Sequence, residues 1–145
     1  MNRPKPSTLA LALKSFFMDY VPRQRALSPL TLQSYRDSLK LLLQYTAGEK
    51  GDPSQLTVER LSVEKVTTFL QSLETARENQ ISTRNVRLSA IHSFFRYLGG
   101  QYPEHLEQAQ RILSIPFKRT GTREIAHLDF EEIQAVIKAV DVDVD

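Results

Sequence analysis

The sequence predicts an all-α bundle of four to five helices. Three observations carry that reading. Apolar residues recur three and four apart in successive segments, the spacing of a helix with one buried face. No segment alternates apolar and polar residues as a half-buried strand would. Glycines are few, and Gly48, Gly51, Gly99, Gly100 and Gly121 fall between the periodic segments. There is no internal repeat.

The first helix is expected from about Ser7 to Tyr20, with Ser7 or Thr8 as its cap and Val21-Pro22 as its end. Leu9, Leu13, Phe16, Phe17 and Tyr20 form its apolar stripe. The second starts at Ser28-Pro29, a cap followed by proline in the first turn. Its stripe is Leu32, Tyr35, Leu39, Leu42 and Leu43, it ends near Tyr45, and AGEKGDPS reads as a loop. The third follows Ser62, with Glu64 placed to suit the helix dipole and Val66, Phe69, Leu70 and Leu73 facing inward. TARENQIS is a polar turn. The fourth, ISTRNVRLSAIHSFFRYLGG over 81–100, is capped by Ser82 or Thr83 and stopped by Gly99-Gly100. A short fifth helix spans Pro103–Leu113. IPFKRTGTREIAHL then reads as an extended basic connector. A last amphipathic helix opens at Asp129, with Glu131 and Glu132 in its first turn and Phe130, Ile133, Val136, Ile137 and Val140 on one side.

Composition limits the function classes. A chain of 145 residues fits one domain, or a domain and a fragment. It has no cysteine, which excludes disulfides and thiolate metal sites and suits a reducing, cytoplasmic setting. Lys14 interrupts the apolar LALAL run near the start and no small-residue cleavage site follows, so secretion is not expected. No segment approaches the roughly 20 apolar residues of a membrane span. His92, His105 and His127 lack i,i+4 partners or nearby carboxylate clusters, so neither a metal nor a cofactor is expected.

The net charge of +2 hides an asymmetry. Residues 1–123 hold 18 Lys+Arg against 10 Asp+Glu, whereas 124–145 hold one Lys against seven acids. A basic body of this kind suits a polyanion.

On a helical wheel at about 100° per residue, Leu88, Ile91, Phe95 and Leu98 fall within about 80° of each other. Val86, Ala90, Phe94 and Tyr97 widen that arc past half the circumference, as a central helix requires. Opposite lies a narrow polar wedge of Asn85, Ser89, His92, Ser93 and Arg96. Thr83, Arg84 and Arg87 belong to the first turn, where unpaired backbone N–H groups and the helix dipole favour an anion. Asn85, Ser89, His92 and Arg96 are the candidates for reading base edges. Plain solvation of the strip is the alternative.

These segments resemble the tyrosine recombinases, the phage integrase family. STRNVRLSAIHSFFRYL is similar to the family helix of the form S/T-x-x-x-x-R/x-L-S-A-x-R-x-F-F-x-Y-L. LSPLTLQSYRDSLKLLLQY resembles its earlier S-x-x-T-x-x-x-Y-x-x-x-L helix, and AHLDFEEIQAVIKAVD resembles the opening of its catalytic domain. Order and spacing agree over roughly residues 7–140. The resemblance implies a core-binding domain, a compact four- to five-helix SAM-like bundle forming one half of a clamp on duplex DNA. Residues 1–114 would be that domain, 115–127 a connector crossing the DNA backbone, and 128–145 the first helix of a catalytic domain that is otherwise missing. The resemblance places Thr31, Ser34 and Arg36 of the second helix and Thr83, Arg84, Arg87, Ser89, His92 and Arg96 of the fourth at the DNA. Lys118, Arg119 and Arg123 of the connector would meet phosphates. His92 stands where the family often has arginine.

The family's catalytic arginines, lysine, histidines and tyrosine nucleophile all lie in the catalytic domain. The expectation is that this chain binds DNA without cutting it. Thr120-Gly121-Thr122-Arg123 resembles the family's T-G-x-R, but it precedes the domain-opening helix and reads as connector. Contacts between neighbouring recombinase subunits are implied by the resemblance, although the sequence marks no interface for them. The competing reading is a helical protein-interaction domain with an incidental basic strip. A complete small enzyme is disfavoured because no nucleophile–base pair is visible.

Overall fold

A computed structural model describes residues 7–23, 27–76 and 81–119, and among them every regular element is helical. Helix α1 (Thr8–Ser15) passes through a π turn (Phe16–Tyr20) into the short α2 (Val21–Arg23). Helix α3 (Pro29–Ala47) leads through two 3₁₀ turns, Pro53–Gln55 and Val58–Arg60, to α4 (Val63–Ala76). Helix α5 (Ile81–Gln101) is followed by a 3₁₀ turn (Pro103–His105) and α6 (Leu106–Leu113). The expected all-α bundle is what forms. The last helix expected from the sequence, opening at Asp129, lies outside the described residues.

Serines open three of the helices. The Ser7 hydroxyl accepts the Ala10 N–H at 3.0 Å, that of Ser28 accepts the Thr31 N–H at 3.1 Å, and that of Ser62 accepts the Lys65 N–H at 3.1 Å. Each satisfies a donor that the first helical turn leaves unpaired. Gly48 ends α3 at φ +79°, a conformation that costs other residues more than glycine.

Helix α5 is the axis of the bundle and packs against α3, α4 and α6. Leu88, Ile91, Phe95 and Leu98 are completely enclosed, and Phe94 joins them. Phe94 meets Phe16 edge-on with ring centroids 5.4 Å apart, which ties the π turn to the axis. Val66, Phe69, Leu70 and Leu73 of α4 are buried as their spacing requires.

Four expectations need correction. The first helix does not stop at Val21-Pro22. The Val21 N–H bonds back to the Phe16 carbonyl across the π turn, and Pro22 has no N–H to satisfy, so helix continues to Arg23. That wider turn brings Phe16 and Val21, five apart, both into the core. Second, Gly99-Gly100 does not end the fourth helix, which runs on to Gln101. Gly99 is instead a point of close approach, because a Cβ there would lie 2.9 Å from the Ala109 Cβ of α6. Third, Val86 stands on the outer side, 48% exposed. Fourth, neither Ser82 nor Thr83 caps the fourth helix, because both lie within it, past its start at Ile81. The chain after α3 also contributes core, which its sequence does not mark: Leu56, Val58 and Leu61 are buried, and the Gln108 amide of α6 donates to the Val58 and Leu61 carbonyls at 2.7 and 2.8 Å.

Gly99→Val is therefore expected to destabilise the bundle by about 1–3 kcal/mol, the usual range for forcing extra volume into a packed contact. A lowered urea midpoint with an unchanged denaturant slope would report it. An unchanged midpoint would mean that α6 can move aside freely.

Candidate nucleic-acid interface

The outer side of α5 is a strip of Ser82, Val86, Ser89 and Arg96, all exposed, with Ser93 half-buried among them. The spacing is alternately four and three, so these residues share one side of the helix. No acidic residue occurs anywhere in α5. On one edge the strip adjoins α3. There the half-buried Arg87 donates from Nη1 to the Ser38 hydroxyl at 3.1 Å, and Ser38 in turn donates to the Ser34 carbonyl at 2.7 Å. Thr31, Ser34 and Ser38 lie on one side of α3 at positions i, i+3 and i+7. The expected faces of the two helices thus meet at a serine–arginine contact. The Arg87 Nε is enclosed without a hydrogen-bond partner, and no carboxylate among the described residues pairs with Arg87 or Arg96.

Arg36 does not join them. It sits about 200° round α3 from Ser34 and places its guanidinium 5.9 Å from the centre of the Phe17 ring. Thr83 is half-buried at the start of α5.

The other edge of the strip departs from expectation. Arg84 is only 5% exposed and His92 only 7%. Both are covered by the chain leaving α6, residues 114–119, which folds back over this side of α5. Arg84 donates from Nη1 to the Pro116 carbonyl at 3.2 Å and to Asn85 Oδ1 at 3.1 Å, with its Nε 3.9 Å from Glu74. Glu74 also receives the Lys118 ammonium at 2.9 Å. Asn85 accepts the Lys118 N–H at 2.9 Å and donates to the Lys118 carbonyl at 2.6 Å. His92 Nε2 hydrogen-bonds the Ile112 carbonyl at 3.1 Å, and the Phe117 ring stands edge-on to the imidazole at 5.2 Å. Arg84, Asn85 and His92 are therefore occupied by the protein's own backbone. A wheel of one helix shows which side avoids the core, but not that a segment thirty residues later covers it. Lys118 and Arg119 are exposed, and Arg123 lies outside the described residues.

Burial holds the His92 imidazolium below its ordinary 6.5, and the Arg96 and Arg84 charges press the same way, partly opposed by the Ile112 and Ile115 carbonyls. The folded state thus binds this proton less readily than the unfolded chain. His92 contributes its full stability above pH 6.5 and loses it as pH falls from there through the lower folded-state value. His92→Gln, which keeps a donor but cannot titrate, should show the difference. The urea-midpoint advantage of wild type over this variant is expected to shrink between about pH 7.5 and about pH 5. A constant advantage would mean that the imidazole titrates alike folded and unfolded.

The residues that sequence reasoning missed are Ser38 and Glu74. Ser38 had a signal, since it continues the Thr31–Ser34 row by four. Glu74 had none, because only tertiary folding brings it to Arg84 and Lys118.

Acids gather elsewhere. A cleft of about 330 Å³ between the Val58–Arg60 turn, the start of α4 and α6 is lined by Glu59, Glu64, Glu104 and Glu107, with Arg111 paired to Glu107 at 3.1 Å. Among the described residues no group of three or more His, Asp or Glu has metal-holding geometry, and no helix is long and apolar enough to cross a membrane.

Residues 14–101 match the family described as phage integrase, N-terminal SAM-like domain. Two similar proteins of Sinorhizobium fredii (strain NBRC 101917 / NGR234) carry the name "Putative integrase/recombinase". The one designated y4rC is 39% identical over 138 residues, covering 94% of this chain and 42% of its own length. The one designated y4rD is 39% identical over 132 residues, covering 90% of this chain and 47% of its own. The chain thus spans less than half the length of these relatives. No solved structure matches it.

Proposed function

The chain belongs to the phage integrase N-terminal SAM-like domain family, and we propose that it is the part of a site-specific integrase or recombinase that holds duplex DNA. The observation that carries this is the α3–α5 face. Two arginines without carboxylate partners among the described residues, Arg87 and Arg96, stand there beside Thr31, Ser34, Ser89 and Ser93. Arginine and hydroxyl donors along α5, which carries no acidic residue, suit phosphate oxygens, which supply most of the affinity of such contacts. Ser89 and Arg96, exposed along the strip, are the side chains offered to base edges. Thr83 flanks this surface at the start of α5. Arg36 approaches from the far side of α3, Lys118 and Arg119 extend the cationic surface along the outgoing chain, and Arg123 is assigned to phosphate contact from the resemblance alone. Arg84, Asn85 and His92 act indirectly, by seating that chain.

In this reading residues 1–114 form the DNA-holding domain, 115–127 the connector, and 128–145 the beginning of a catalytic domain. Strand cutting and rejoining belong to the rest of such a protein, and this chain contributes binding alone. Contacts with neighbouring recombinase subunits are part of the same proposal. A second reading, a helical protein-interaction domain, draws on the exposed Leu11 of α1 and Met18 of the π turn, 49% and 65% accessible. A duplex titration across a salt series separates the two. DNA holding predicts binding at low ionic strength that falls linearly in log K against log salt. No binding even at low salt would favour the interaction domain.

A further inference from the structure

The segment leaving α6 is held in an unusual way. Pro116, Phe117, Lys118 and Arg119 form neither helix nor strand, and all four are exposed. Little apolar burial fixes them. Polar contacts from residues 32 to 44 positions earlier in the chain do so instead. The Asn85 side-chain amide pairs with both the N–H and the C=O of Lys118, as a neighbouring strand would. Only a group carrying an acceptor and a donor side by side can do this. Its orientation is fixed too, because Oδ1 faces two donors, the Lys118 N–H and Arg84 Nη1, while Nδ2 faces a carbonyl. Arg84 reaches the Pro116 carbonyl one step before, and Glu74 holds the Lys118 ammonium. A nearly buried guanidinium is expensive to desolvate, and Glu74 with two acceptor oxygens offsets that.

We propose that Asn85, Arg84 and Glu74 form a latch that seats the outgoing chain at Pro116–Lys118 and so fixes where, and in which direction, the chain stands at Arg119. The latch is a property of the free chain and does not depend on DNA. The matched region makes up less than half of each relative, and whatever follows it in such a protein starts from this seat. Asn85 is the keystone because it touches the backbone itself, and its contacts survive any substitution at 118 other than proline.

Trypsin tests this on the 145-residue chain. Lys118 is a cleavage site whose carbonyl the latch holds, and Lys50, exposed in the loop after α3, is an internal reference that it does not touch. Cleavage through local opening tracks the population of the open form. Asn85→Ala removes both backbone hydrogen bonds, so cutting after Lys118 should accelerate about tenfold relative to cutting after Lys50, with helicity and melting temperature nearly unchanged. Equal acceleration at both sites would mean general loosening and would overturn the latch, as would no change at Lys118. A second measurement needs no variant. In the wild type the Lys118 amide hydrogen should exchange about tenfold more slowly than that of Arg119. Equal rates, after correction for sequence, would also overturn it.

Discussion

Arg84→Glu is expected to lower the stability of the bundle by about 3–5 kcal/mol, the range found when one partner of a buried ion pair is removed and its charge left uncompensated. The new carboxylate would stand near Glu74, in a site where Arg84 is only 5% exposed, and would face the Pro116 carbonyl with a second acceptor. Two like charges and an unpaired carbonyl then replace an ion pair and a hydrogen bond. Domains of this size are typically stable by about 5–15 kcal/mol, so the variant would sit near the edge of folding. Arg84→Met should lose much less, because its stem fills the space and Lys118 still answers Glu74. Urea unfolding of both variants measures the contrast. Equal, small losses would mean that the Arg84 site is wetter than its burial indicates. One practical consequence is that reversing charge at Arg84 and Arg87 together cannot diagnose DNA binding, since loss of fold and loss of contact would coincide.

The variant that does isolate the contact is Arg87→Gln with Arg96→Gln. A side-chain amide at position 87 can still donate to the Ser38 hydroxyl, and position 96 is exposed, so folding should be little changed. If each arginine meets one phosphate, the slope of log K against log salt should become less negative by about 1.8, at about 0.9 per phosphate. Affinity at low salt should fall roughly a hundred- to ten-thousandfold, as expected for losing two charge-assisted hydrogen bonds at about 1.5–3 kcal/mol each. A folded double variant with the wild-type slope would remove the α3–α5 face from the proposed interface and make the exit segment, with Lys118 and Arg119, the next surface to test.

Much of the fold is legible because it is written in local periodicity. Leu88, Ile91, Phe95 and Leu98 share a side of α5 and are buried, and the same holds for Val66, Phe69, Leu70 and Leu73 in α4. The misreadings share a cause, which is that their deciding partner is distant in sequence. Gly99 has the marks of a helix stop, yet its role is set by Ala109. The loop leucines at 56 and 61 have no period to announce them and are core because α6 lies over them. Pro22 reads as a stop by its ordinary rule, which a π turn suspends. For the candidate site, the choice of α3 and α5 rests on residue type and resemblance, and Ser38–Arg87 joins the two helices there. A helical wheel puts His92 and Arg84 on the open surface because it has no knowledge of the chain that returns across it. Polar residues facing away from a core are the natural seats for such a return, and composition alone does not distinguish that use from a ligand surface.

The π turn between Phe16 and Tyr20 has a consequence for how this sequence can vary. It acts as a phase slip of one residue. Upstream, Leu9, Ala12 and Phe16 keep step with the core, and Val21 regains it only because the turn between is one residue wide of the α repeat. Loss of a single residue there, such as the exposed Met18, would restore an ordinary helix in which Phe16 and Val21 stand four apart, so Leu9 and Ala12 would keep their places in the core. Gain of a further residue has no such outlet and would rotate everything before the turn by about 100° relative to everything after. Across descendants of this sequence, single-residue losses at 17–19 should accumulate far more readily than gains.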